Sequence, residues 1–299
     1  MYDLCLITMC KAETQYLREW VVYHHLRGVD KIILVLDHPE VSADLASATK
    51  AISGFEDLVT LVVTPAEYRA ENLVERYADP EFHRQGEILT YFLQQIRHKA
   101  NWVLCLDMDE FAVPVPDKTL PEILHEYTDC AALMLWWRVF GSSGLVELQP
   151  SQIVPYVHRQ EDNKSLTQFK TVFQPKLFSG MPNAHHPRQT DGAALYFLDR
   201  TINSKERWMT AARNKATYTP IYIAHYQIKS KKSFLQKQLR GDVNQKHLDR
   251  LDWKMFTKVD QEATLLDTSV RDRFIDELAA FGLNVTIRNN HENNTSHME

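Results

Sequence analysis

Trp102-Val103-Leu104-Cys105-Leu106-Asp107-Met108-Asp109 is the stretch from which this 299-residue chain is best read. The apolar run from Trp102 to Leu106 is too short for a helix and fits a strand buried on both faces, and the chain turns acidic as the run ends. Alternate side chains of an extended chain point the same way. Asp107 and Asp109 can therefore face one bound cation while Met108 enters the core, and Glu110 points away to a local contact.

The same alternation of strand and helix leads up to this stretch. Leu4 to Met9 reads as a buried strand, and Thr14 to Arg27 as a helix stopped by Gly28. Lys31 to Leu36 and Leu58 to Val63 read as further strands, with helices over Ser42–Ile52 and Pro80–His98. Continuous apolar strands separated by helices imply an α/β fold with a mostly parallel sheet covered on both faces. Ligands of such sheets bind beyond the carboxyl ends of the strands. That rule singles out Lys11–Glu13, Asp37–Asp44, residues 107–111 and the loop after Val63.

The second half is less regular. Ala131 to Phe140 is a strand candidate carrying Trp136, Trp137 and Phe140, followed by the turn Gly141-Ser142-Ser143-Gly144. Strand periodicity puts one tryptophan in the core and the other on the opposite face. Gln168–Lys176 and Tyr218–His225 are further strand candidates, and Ser233–Leu239 and Ser269–Phe281 are helical.

A net charge of -5 argues against a general nucleic-acid binder. Cys5, Cys10, Cys105 and Cys130 form no CxxC pair and read as small buried residues of a reducing compartment. No apolar run approaches the ~20 residues that span a bilayer. The opening Leu4-Cys5-Leu6-Ile7 lacks a basic leader, so the sequons at Asn163 and Asn284 read as chance. A cytoplasmic protein is expected, with peripheral membrane contact compatible.

Paired carboxylates at a strand end suit a hard divalent cation, magnesium or manganese, that shares phosphate oxygens with the protein. The same acidic triplet on a surface turn would carry no function. His225 ends the apolar run Ile221–Ala224 and could be a third ligand, although a histidine in such a run is often a hydrogen-bonded core residue. Lys229, Lys237 and Arg240 follow, the last two at helical i, i+3 spacing. Such a basic cluster suits a diphosphate, or else is a solvated helix face.

These pieces resemble the family-92 (DUF23) glycosyltransferases and their bacterial family-2-like relatives. The resemblance runs through Lys11-Ala12-Glu13, Tyr16–Trp20, Tyr23-His24, Gly28–Asp30, Asp107–Phe111, Trp137, Phe140–Gly144, His225-Tyr226, Lys229-Ser230, Phe234, Lys237 and Arg240-Gly241. It implies a GT-A, Rossmann-like fold over 1–245, with a donor half to about residue 115 and an acceptor half from about 116 to 245. A helical extension, 246–288, and a disordered polar tail, 289–299, are expected to follow. The resemblance implies a hexosyltransferase-type enzyme that moves a sugar from a nucleoside diphosphate, most often UDP, to a glycan, lipid-linked or protein-linked acceptor. Asp107, Asp109 and His225 would hold Mn2+ or Mg2+. Lys11, Glu13, Asp37, Gln85, Asp107, Lys229, Lys237 and Arg240 would border the donor, and Trp137, Ser142, Ser143 and His185 the acceptor. Ala12, Ala224 and Leu145 depart from the family's usual Asn-containing first motif, Asn-His-Tyr and post-turn histidine.

Inversion by direct displacement needs a general base, and Asp191 and Glu161 are the candidates carried forward from a wider set in the second half. A sugar nucleotidyltransferase would want a glycine-rich loop after the first strand, which Met9–Glu13 lacks. A catalytically inactive carbohydrate-binding relative is the other alternative.

Overall fold

In the computed structural model, the described residues are 1–37, 41–69, 72–73, 75–79, 82–162, 168–188, 193–203, 216–241, 251–283 and 285–286. Strand β1 (Tyr2–Cys10) is buried from Leu4 onward and becomes the centre of the first half. Helix α1 (Thr14–Leu26) follows and stops before Gly28, whose φ of +86° is a left-handed conformation that glycine adopts without a Cβ penalty. Strand β2 (Lys31–Leu36) pairs parallel with β1. After helix α2 (Val41–Ala51), strand β3 (Val59–Val63) adds outside β2. Helix α3 (Arg84–Ile96) leads to β4 (Ala100–Asp107), which pairs parallel with the other edge of β1. Cys10 pairs with Leu36 and Met9 with Asp107, so three strands end at one level. The segments after them begin with Lys11, Asp37 and Met108.

The second half completes the sheet. Strand β5 (Glu110–Pro114) starts inside the acidic motif, and helix α4 (Leu120–Leu124) follows. Then come β6 (Ala132–Val139), β7 (His158–Arg159), β8 (Phe169–Phe173), β9 (Leu195–Tyr196) and β10 (Ile221–His225). Helices α5 (Lys231–Arg240) and α6 (Trp253–Glu262), strand β11 (Leu265–Leu266) and helix α7 (Ser269–Ala280) finish the order. The nine-stranded sheet runs β3-β2-β1-β4-β8-β6-β10-β5, with β9 beside β6. β4–β8, β8–β6 and β10–β5 are antiparallel, and the other pairs are parallel. The fold is therefore mixed α/β with a mostly parallel sheet between helices, as the sequence implies.

Several boundaries differ from the sequence reading. α3 starts at Arg84 rather than Pro80, because His83 caps it: its imidazole Nδ1 accepts from the Gly86 N–H at 3.2 Å. The C-terminal part is not purely helical, since β11 pairs with β7. α7 also packs against the first half, with Phe274 and Tyr23 ring centroids 4.8 Å apart. Trp136 and Trp137 are both buried, in separate clusters on the two faces of the sheet. All four cysteines are buried and unpaired. Among the described residues no helix is long and apolar enough to cross a membrane. The expected tail, 289–299, Asn163 and Asn284 lie outside the described residues.

Candidate active site

Asp107 closes β4, the chain turns at Met108-Asp109, and β5 leaves at Glu110. Met108 is buried in the core, as the alternation requires. Glu110 makes the expected local contact: its Oε2 accepts the Asp107 backbone N–H at 2.9 Å. The two aspartates, however, turn to different partners. Asp107 accepts from Gln85 Nε2 and from Lys170 Nζ, both at 2.8 Å. Asp109 Oδ2 accepts from Lys237 Nζ at 2.8 Å, with Lys229 Nζ at 4.0 Å, while its Oδ1 stands 3.5 Å from His225 Nε2.

The electrostatics follow from these pairings. Burial alone would raise both carboxyls, but Lys170 holds Asp107 below its ordinary value. Lys237, then His225, hold Asp109 well below its own. Burial lowers His225, against the pull of Asp109.

Glu13, between β1 and α1, gathers the basic residues. Lys229 Nζ donates to its Oε1 and Arg240 to its Oε2, each at 3.0 Å. Glu13, Asp109, His225, Lys229, Lys237 and Arg240 thus converge, although 227 positions separate the first from the last. Lys11 is half-buried just before them. Asp37 is fixed differently. Arg84 donates to both of its oxygens, at 2.7 and 2.5 Å, and Thr64 donates to Oδ1 at 3.0 Å. The first turn of α3 therefore serves two candidates: Arg84 binds Asp37 and Gln85 binds Asp107.

On the other side, the Trp137 ring lies 4.2 Å from that of His225 and 5.5 Å from that of His185. His185 Nδ1 bonds the Phe169 carbonyl at 3.1 Å, and burial, then Lys170, push its pKa down to about 3, so it is neutral. Ser142 and Ser143 hold their turn. Ser142 Oγ accepts from Gly144 N at 3.0 Å, and Ser143 Oγ from Val157 N and His158 N at 2.9 and 3.1 Å. Glu161 is exposed and makes no hydrogen bond or ion pair to the cluster among the described residues. Asp191 lies outside the described residues.

Sequence reasoning missed Lys170, Arg84 and the Glu19–Gln152 link. Gln152 joins that link to the site, accepting from Lys229 Nζ at 3.0 Å and donating to the Met108 carbonyl at 2.9 Å. The signal for Lys170 was a single ammonium inside the apolar run Phe169–Phe173. Arg84 offered none beyond its charge, and Glu19 lay in the Tyr16–Trp20 stretch of the resemblance with no role attached to it.

Three buried polar atoms near the motif have no hydrogen-bond partner among the described residues: His225 Nδ1, Trp137 Nε1 and Glu110 Oε1. Such groups call for an explanation, an absent ion or ligand among them. No three His, Cys, Asp or Glu side chains stand grouped for a metal among the described residues. Asp109 and His225 form a ready oxygen–imidazole pair, and Asp107 retains an accessible carboxylate, 38% exposed. The donor types therefore fit manganese or magnesium.

The sequence comparisons agree on one family. A glycosyltransferase family 92 protein of Arabidopsis thaliana is 24% identical over 217 residues, 67% of this chain and 34% of its own length. A second, from Oryza sativa subsp. japonica, is 24% identical over 127 residues, 42% of this chain and 19% of its own. The chain thus spans about a third or less of these relatives. Mouse xyloside xylosyltransferase 1 in its apo form is 10% identical, with a TM-score of 0.28 over 45% of this chain and 52% of that one. The profile of Glycosyltransferase family 92 matches residues 2–259. The chain belongs to glycosyltransferase family 92.

Proposed function

We propose that this chain is a glycosyltransferase that moves a sugar from a nucleoside-diphosphate sugar, a UDP-sugar first, to a glycan or glycolipid acceptor. The observation that carries the proposal is the convergence of Asp109, His225, Glu13, Lys229, Lys237 and Arg240 beyond the strand ends. Ligands of open α/β sheets bind at this place.

Asp107, Asp109 and His225 would hold Mn2+ or Mg2+. When bound, the cation supplies Lewis-acid stabilisation to the departing diphosphate. Ion pairs to Glu13 and Asp109 pre-position Lys229, Lys237 and Arg240, so these cations meet the diphosphate with little reorganisation. Lys170 and Gln85 orient Asp107. Arg84 fixes Asp37 at the nucleoside side, with Lys11 close to the first strand end. Trp137 and His185 offer the acceptor sugar an aromatic wall beside His225, next to the Ser142-Ser143 turn. Inversion at the anomeric carbon, with Asp191 or Glu161 as base, belongs to the same proposal and follows from the family resemblance. Four unpaired, buried cysteines support a reducing, cytoplasmic setting, with peripheral membrane contact where the acceptor is a lipid.

The test is a panel of nucleotide sugars incubated with the purified chain and manganese, reading release of the nucleoside diphosphate. One donor is expected to be hydrolysed slowly and only with metal, and Asp109→Asn to reduce that rate by about 10²-fold or more. Hydrolysis of no donor, or equal hydrolysis in Asp109→Asn, overturns the proposal.

A further inference from the structure

β5 and β10 carry Glu110 and His225 at the active-site end, and their other ends open onto a second cavity. Tyr222 pairs with Val113 there, three positions before His225, or roughly 10 Å along the strand at ~3.4 Å per residue. The cavity has a volume of about 290 Å³ and lies between these strands, the end of α1 and the first turns of α7. That is close to the low end of the ~300–1,000 Å³ typical of small-molecule pockets.

Its walls combine two chemistries. Tyr23, Tyr222 and Phe274 supply aromatic surface, and Arg27, Arg138 and Arg273 supply charge. Among the described residues no carboxylate lines it, and the acidic partners of these arginines stand outside the lining. Arg138 bonds Asp162 at 3.0 and 2.9 Å while lying over the Tyr222 ring, 4.3 Å from its centroid. Arg273 donates to the Pro114 carbonyl at 2.9 Å and to Asp117 at 3.1 Å. Arg27 binds Glu277 through Nη2, yet its side chain is only 7% exposed and its buried Nε–H has no hydrogen-bond partner among the described residues. Burial is the main cause that lowers the Arg27 pKa, and the neighbouring Arg273 charge adds to it. Across this partly apolar space the Arg273 charge opposes that of Arg27, and an anion inside it would offset that repulsion.

We propose that this cavity is a second ligand site, separate from the donor site, for a small carboxylate or phosphate monoester on a flat apolar body. Guanidiniums bind either oxyanion in a bidentate fork, and the three aromatic rings cover the body. Occupancy ties α7 to α1 and to the β5–β10 pair.

Titration calorimetry of the full chain with phenyl phosphate and with benzoate tests this, with benzyl alcohol as the neutral control. At least one anion is expected to bind one-to-one and at least about tenfold more tightly than the alcohol, because the charge-assisted bonds are lost with the neutral head. The relative strength of the two anions tells which oxyanion the site prefers. Saturating UDP and manganese should leave the affinity unchanged. Arg273→Gln should weaken it at least about tenfold, as should Val115→Trp, which crowds the exposed rim of the cavity without removing a buried charge. The proposal is overturned if neither anion binds at millimolar concentration, if the alcohol binds equally well, or if UDP displaces the anion. It is equally overturned if either folded variant keeps full affinity. The readout is binding at this cavity, so its failure leaves the glycosyltransferase proposal standing.

Discussion

Replacing Lys170 with methionine removes an ammonium that is 0% exposed and that two carboxyls share, Asp107 at 2.8 Å and Glu110 at 3.1 Å. Burial lowers the Lys170 pKa, but Asp107 and Glu110 outweigh it, and the net shift is upward. The two carboxyls respond differently to its loss. The Asp107 side chain is 38% exposed, so water screens its share. Glu110 is fully buried, and burial pushes it up to about 8 against the pull of Lys170. A folded-state pKa raised above the unfolded value contributes stability below about pH 4.5 that is lost as pH rises through 8. Without Lys170 that pKa rises further, so the loss continues past pH 8. Breaking a buried pair by removing one member costs about 3–5 kcal/mol. An unfolding entropy of ~2.1 cal/mol/K per residue makes this a fall of about 5–8 °C in Tm for 299 residues. Differential scanning calorimetry of Lys170→Met should show that fall at pH 9 and a smaller one at pH 6. The double variant Lys170→Met/Glu110→Gln should recover much of it. A fall under about 1 °C, a fall that does not depend on pH, or no recovery in the double variant would refute the reasoning.

Two further outcomes can be checked by urea unfolding. Glu19 is buried and accepts from Ser151 and from the Gln152 N–H at 2.7 Å, and burial pushes its pKa up to about 7. Its contribution is full below the unfolded value and falls as pH rises to 7, so wild-type stability relative to Glu19→Gln should drop by about 1.4 kcal/mol per pH unit between pH 5 and 7. A constant difference over that range would contradict this. Arg84→Ala leaves the buried Asp37 with Thr64 as its remaining side-chain hydrogen-bond donor among the described residues and should cost about 3–5 kcal/mol. A cost under about 1 kcal/mol would show that Asp37 is compensated otherwise.

The first four strands were legible because each is an apolar run bounded by a helical pattern or a turn, and the end-of-strand rule then pointed to Glu13 and Asp107. Lys229, Lys237 and Arg240 stood out as a basic cluster in an acidic chain, and the structure brings them to Glu13 and Asp109. β5 was hidden because its first residue belongs to the acidic motif, and its pairing partner β10 starts 111 positions later, at Ile221. Lys170 and Arg84 are single charges whose meaning depends on neighbours 63 and 47 positions away, a separation that local periodicity does not register. Ala12 shows the reverse case. Its φ of 50° is a left-handed conformation that asparagine, the residue expected there from the resemblance, tolerates better than alanine. Strand alternation led to the expectation that Asp107 and Asp109 face one cation; it did not register that the strand ends at Asp107 or that each carboxylate also has a lysine of its own.

Isothermal titration of UDP into the chain, with and without manganese, tests the central claim most directly. The account predicts saturable one-to-one binding that requires the metal and disappears in Asp109→Asn while the fold remains intact by circular dichroism. UDP binding of equal strength without metal, or unchanged in Asp109→Asn, would contradict a metal-held diphosphate site at the end of β4.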